Sequence, residues 1–181
     1  MFDFSKNYFE LFGMPVGYVI DNAALDQRYR ELQKVVHPDR FAAAGAQSQR
    51  ISLQSATQVN EAYTALKDPL KRAHYLLGLM GVEGPGDTAT LNDPAFLMQQ
   101  MELREELAEV RSHADPHARL DELLHAIAGM IRTHIVQLAV QFEDASADSL
   151  QSAFDTLQKM QFLEKLRTEA EALEAELEEA Y

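Results

Sequence analysis

Cysteine is absent from all 181 residues. That excludes disulfides, thiolate metal centres, a cysteine nucleophile and any iron–sulfur cluster held by thiolates. Tryptophan is absent as well. No Gly-rich phosphate loop occurs, so the chain is not expected to bind or hydrolyse ATP itself. No Ser/His/Asp arrangement stands in a supporting motif, so no catalytic residues are assigned. Met1 to Asn7 carry Asp3 and no apolar run, unlike a secretory signal or an Arg-rich transit peptide. No apolar stretch reads as approaching the ~18 residues that span a membrane. These absences lead us to expect a cytoplasmic protein without a membrane partner. β-Branched residues are sparse and no run alternates apolar with polar for long, so strands are not expected. Base is scarce in the second half. Residues 81–181 hold seven Lys/Arg against 21 Asp/Glu, a net −14, whereas residues 1–80 hold nine against eight, a net +1. The acidic half repels nucleic acid at long range, and the asymmetry suggests two domains with different jobs.

What is present is a globular balance, 46% hydrophobic and 25% charged, arranged with helical periodicity. The clearest punctuation is Gly81-Val82-Glu83-Gly84-Pro85-Gly86, which no continuous helix accommodates. We place one domain at 1–80, a linker at 81–93 and a second domain at 94–181. In the first, Tyr8 to Phe12 forms a short apolar segment. Leu25, Tyr29, Leu32 and Val36 then mark one face of a helix that starts at Asp21 or Asn22 and stops at His37-Pro38. A longer helix runs from about Gln47 to Lys67 with Ile51, Ser55, Val59, Ala62 and Leu66 on one face. A short one follows, capped by Asp68 with Pro69 at its first position. In the second domain, segments at Asn92/Asp93 to about Ser112, Pro116 to Phe142 and Ala147 to Glu179 have short connections, as in an antiparallel three-helix bundle. A polar break at Gln158 to Gln161 separates Leu150, Phe154 and Leu157 from Leu166, Ala170, Leu173 and Leu177. The fold class is all-α.

His37-Pro38-Asp39 lies in the loop between two amphipathic helices. Arg28, Tyr29, Arg30 and Lys34 precede it and Arg40 follows. Further on come Asn60-Glu61-Ala62-Tyr63, Leu66, Asp68-Pro69, Lys71-Arg72 and Tyr75. A lone tripeptide of this kind is a weak signal; between these helices, with the second block at this distance, it is strong. Residues 7–80 resemble a J-domain: a helical hairpin with short flanking helices. The resemblance implies docking on a DnaK-type ATPase, with the His-Pro-Asp loop triggering hydrolysis by the partner. It assigns chaperone binding to His37, Pro38, Asp39, Arg28, Tyr29, Arg30, Lys34 and Arg40. The basic residues read as a stripe away from Leu25 and Leu32, suited to an acidic partner surface. Taken singly, each has a plain alternative, a capping His or a solvated cation. The spacing of Tyr29 says core, whereas the family pattern places an aromatic at the docking face.

The second domain narrows the family. No Gly/Phe-rich linker or Cys-rich zinc region is present. Instead Ala95-Phe96-Leu97-Met98-Gln99-Gln100-Met101-Glu102-Leu103-Arg104-Glu105-Glu106-Leu107, with Asp68 to Leu77 and Phe162-Leu163-Glu164-Lys165-Leu166-Arg167, resembles the HscB family of iron–sulfur co-chaperones. The lack of a Cys-rich N-terminal extension favours its bacterial type. The resemblance implies an L-shaped two-domain arrangement, an HscA chaperone partner and an IscU scaffold client. Residues alone point to the same helix. At about 100° per residue, Phe96, Leu103, Leu107 and Val110 share one stripe, while Leu97 and Met101 form a second strip roughly 100–140° away. A bundle helix needs one core face, so a second strip rimmed by carboxylates suits a partner. The alternative packs Leu97 and Met101 under the third helix or the first domain. By resemblance the scaffold site is Leu97, Met98, Met101, Glu102, Arg104, Glu105 and Phe162.

Two readings stand beside this one: a J-protein serving a general DnaK with another client, and a metal-binding bundle. Glu122-Leu123-Leu124-His125 matches the Glu-x-x-His pattern of di-iron bundles, but those need a second copy and two more inward Glu residues, and none is found. His113 and His117 flank Asp115-Pro116 in what reads as a solvated turn. No metal or cofactor is assigned.

Overall fold

The computed structural model describes residues 3–37, 39, 45–82 and 93–179. Most of the expected 81–93 linker, together with Pro38 and Arg40, lies outside the described residues. The chain divides into two compact units, Met1–Met80 and Gly81–Tyr181, which is where the net charge changes from +1 to −14. All regular elements among the described residues are helices.

In the first unit, α1 spans Tyr8–Leu11, set by a capping box between Asn7 and Glu10. The second helix, α2, spans Asn22–Val36. The Asp21 carboxylate accepts from the amides of Ala23 and Ala24 at its start, and it ends at His37 before a proline. The third, α3 (Ala46–Lys67), packs against α1, α2 and α4 (Pro69–Leu79). Asp68 caps α4 and Pro69 occupies its first turn. Leu25, Val59, Ala62, Leu66, Ala73 and Leu76 are fully buried among Phe9 and Phe12. Ile51, expected on the core face, is instead 43% exposed. Ser52 and Ser55 take the buried positions there, and both hydroxyls donate to backbone carbonyls, Val36 and Ile51 respectively.

The second unit contains α5 (Pro94–Glu109), a 3-10 turn at Val110–Ser112, α6 (Pro116–Asp144) and α7 (Ala147–Glu179). The three helices pack on one another as expected, with α6 and α7 forming the longest pairing. At about 1.5 Å per residue α5 is roughly half the length of either partner. Its N-terminal end lies at Met130 and Lys159 and its C-terminal end at Leu120 and Ala170. Two expectations are corrected here. The core stripe of α7 has no polar break: Met160 and Leu163 are buried and carry it from Leu157 to Leu166. Gln158, Lys159 and Gln161 lie to either side of the stripe, partly buried or exposed, while Met160 between them keeps it continuous. Helix α6 is also long and apolar enough, by length and composition, to cross a membrane, with mean hydropathy 1.4 over 18 residues. His125, Arg132 and His134 interrupt the run to the eye without lowering its average much. Leu120, Leu123, Ile127, Ile131, Leu138 and Phe142 of α6 are buried, as expected of a helix packed between neighbours.

Candidate functional site

In the first unit, the end of α2 carries His37 and Asp39 into solvent, Asp39 with its side chain 90% exposed. The Asp39 amide donates to His37 Nδ1 at 3.3 Å, which holds the imidazole against its own loop. The Asp39 carboxylate lies 3.6 Å from the same nitrogen, so a protonated ring would pair with it instead. Neither side chain is drawn into the core. The pair is presented as a projection at the end of a helix rather than as a pocket.

The helix surface behind it separates the cations that the sequence grouped. Arg30 and Lys34 stand four residues apart on one row and are exposed. Arg28 lies about 160° around the helix from Arg30 at 100° per residue. Its guanidinium reaches the Gly13 turn, where a Cβ on residue 13 would sit 3.4 Å from Nη1. The expected stripe is therefore Arg30 and Lys34, with Arg28 on the opposite flank. Tyr29 resolves between its two readings by sitting at the edge of the hairpin. It is half-buried and stacked on Tyr63 with ring centroids 4.0 Å apart, and its hydroxyl donates to Asn60 at 3.0 Å. Gln33 also donates to Asn60. Next to the stack, Tyr63 donates to Asp26 at 3.0 Å and Lys67 donates to it at 2.6 Å. The Lys67 bond and then the Tyr63 bond hold the Asp26 carboxyl below its usual pKa, and the bond to Asp26 raises that of the Tyr63 phenol. Asp26 and Lys67 are not among the residues expected at this face from the sequence. The available signal was a carboxylate at the head of the Arg30–Lys34 row.

In the second unit, Phe96 and Leu103 of α5 are buried, and Leu107 packs with Val110, Leu120, Ala170, Leu173 and Leu177. Leu97, Met98 and Met101 are 41%, 64% and 72% exposed. Within the bundle they are therefore not covered by α7. Glu102, Arg104 and Glu105 are exposed around them. Phe162 of α7 joins this face indirectly. It meets Phe96 edge-on at 5.8 Å, and the Arg104 guanidinium lies 5.5 Å from its ring centroid while also reaching Glu169 at 3.7 Å. An exposed pair at that distance contributes at most ~1 kcal/mol, and the cation–ring contact a similar amount. Arg104 is thus oriented rather than locked. The start of α5 is fixed by Asp93, which caps Phe96 and accepts from Lys159 at 2.7 Å. The Lys159 bond and then the Phe96 amide depress the Asp93 pKa.

The Glu-x-x-His pair lies on the exposed side of α6. Glu122 pairs with Arg119 at 3.1 Å and the His125 ring bonds the Asp121 carbonyl. Asp115 caps α6 while its amide meets His113. No group of three metal-ligating side chains occurs among the described residues.

Comparison with known proteins places both regions. Residues 7–75 match the family model described as the DnaJ domain, and residues 92–171 match the HSCB C-terminal oligomerisation domain. A co-chaperone protein HscB homolog of Vibrio cholerae is 44% identical over 171 residues, covering 94% of this chain and 98% of that protein. One from Shewanella frigidimarina is 44% identical over 169 residues, covering 93% and 97%. Among solved structures, the chaperone HscB from Vibrio cholerae superposes with a TM-score of 0.85 at 42% identity, covering 95% of this chain and 99% of that one. Human co-chaperone HscB superposes with a TM-score of 0.87 at 31% identity, covering 95% and 84%.

Proposed function

This chain belongs to the HscB family of J-domain co-chaperones, and on that premise we propose that it stimulates the ATPase of an HscA-type chaperone while delivering an IscU scaffold to it for iron–sulfur cluster maturation. The observation that carries the reading is the His37–Asp39 pair, exposed at the end of a helix whose outer row is Arg30 and Lys34. Nothing about that pair suits chemistry by this chain; its role is a coupling free energy between docking and the partner's hydrolytic state. His37, Pro38, Asp39 and Arg40 engage the chaperone with Tyr29, Arg30 and Lys34, and Arg28 supports them from the far flank. On the acidic unit, Leu97, Met98 and Met101 form the apolar centre of the client surface, with Glu102, Arg104 and Glu105 as its rim and Phe162 beneath Arg104. Holding client and ATPase on one chain raises their effective concentration.

The test is ATP hydrolysis by purified HscA, with this protein and IscU added separately and together. Stimulation is expected to be greatest with both present and lost in His37→Gln, which should keep IscU binding. Leu97→Ala/Met101→Ala should do the reverse. It should weaken IscU binding about tenfold, as truncation of central apolar anchors does, without lowering thermal stability, because both side chains are exposed. Stimulation of a general DnaK but not of HscA would keep the J-domain role and remove the iron–sulfur assignment.

A further inference from the structure

Asp26, Arg30 and Lys34 occupy successive i, i+4 positions on α2 and so form one row along its outer surface. A carboxylate four residues before an arginine is the orientation that favours pairing within a helix. Paired that way, Asp26 would cancel the first cation of the row that faces the chaperone in the reading above. The side chains place it otherwise. Two groups from α3 hold the same carboxylate oxygen, Lys67 Nζ at 2.6 Å and the Tyr63 hydroxyl at 3.0 Å. Tyr63 is itself fixed by its stack on Tyr29. Arg30 is exposed and, among the described residues, forms no ion pair within 4.0 Å; its charge acts on Asp26 only at longer range, as the smallest of the influences on that carboxylate.

We propose that Lys67 and Tyr63 are positioning residues that keep Asp26 from pairing directly with Arg30, so that the Arg30 guanidinium is presented without a bound carboxylate to an acidic surface of the chaperone. This rests on the docking role proposed for α2 and adds its control by α3. Without Lys67, Asp26 is released towards Arg30, four residues along the same row, and the docking face loses one net positive charge.

The experiment titrates the full chain against the partner ATPase at low and high ionic strength and reads the half-maximal concentration and the maximal stimulation. Lys67→Met is expected to raise the half-maximal concentration about fivefold at low salt, with a smaller change at high salt and the maximum unchanged, as for a charge that governs encounter. Asp26→Asn in the Lys67→Met background should restore wild-type behaviour to within about twofold, since Asn still accepts from Tyr63 but cannot neutralise Arg30. Asp26→Asn alone should dock at least as well as wild type. A purely structural tie gives the opposite pattern, because the double variant lacks the tie as fully as Lys67→Met does. The proposal is overturned if Lys67→Met titrates like wild type, or if the double variant is no better than Lys67→Met. Absence of stimulation by the wild-type chain would instead overturn the docking role itself, and this inference with it.

Discussion

Arg72 is a charged side chain that is only 6% exposed, and its partners explain why it is tolerated. Its Nε donates to the Leu66 carbonyl at 2.8 Å and its Nη1 to the Tyr18 carbonyl at 2.6 Å. Leu66 lies in the last turn of α3, where carbonyls have no partner inside the helix. Tyr18 belongs to the segment that leads into α2. One guanidinium therefore ties the end of α3, the start of α4 and the approach to α2. Its ring neighbour Tyr18 lies 5.3 Å away, and burial pushes that phenol's pKa up to about 12. Arg72→Met should destabilise the first unit by about 3 kcal/mol in denaturant titration, since it leaves two buried carbonyls without donors. A loss below 1 kcal/mol would mean that water replaces the guanidinium. Arg72 was visible in the sequence only as part of a motif. Its burial was not, because the two carbonyls it serves are six and 54 residues away.

At the scale of elements, the helix boundaries were legible because caps are local. Asp21, Asp68, Asp93 and Asp115 each accept from the first-turn amides of the helix that follows. The joint between α6 and α7 is different. Ala145 adopts a left-handed conformation, φ 49°, to end α6. A β-carbon disfavours that region, whereas glycine enters it freely. Ser146 and Ser149 both donate to Asp144 across the same turn, which holds it closed in spite of the alanine. Ala145→Gly should therefore stabilise the bundle by roughly 0.5–1 kcal/mol, less what the added freedom of the unfolded chain removes. Calorimetry should show a higher Tm for the second unit; a lower one would mean that the turn is not strained. The outer strip of α5 was legible from its period, since one helix cannot bury two faces against a single pair of neighbours. The continuity of the α7 stripe was misread, because its orientation is fixed by α6 and not by the local mean of polarity.

Across the whole molecule, the paired aspartates set how stability responds to acid. Asp26 and Asp93 are depressed mainly by hydrogen bonds from Lys67 and Lys159. A carboxylate with a lower pKa in the folded state gives stability that is complete above the unfolded value, near 3.9, and lost as pH falls through the folded one. The Tm difference between wild type and Asp93→Asn should thus be present at about pH 5–7 and vanish towards about pH 2. A difference that persists in strong acid would assign the effect to the cap geometry alone. Sequence by itself determined the all-helical class, the two charge-distinct halves, the place of His37-Pro38-Asp39 between two helices and the second apolar strip of α5. The charge division is a matter of composition alone, and the others follow from neighbours within a turn or two, where spacing and caps decide the outcome. Tertiary structure alone decided that Arg28 leaves the row of Arg30 and Lys34, that Tyr29 stacks at the hairpin edge, that Lys67 holds Asp26, and that Arg104 lies over Phe162. Each of these depends on side chains from different helices meeting at a few ångströms, and no pattern within one helix specifies which residue stands opposite.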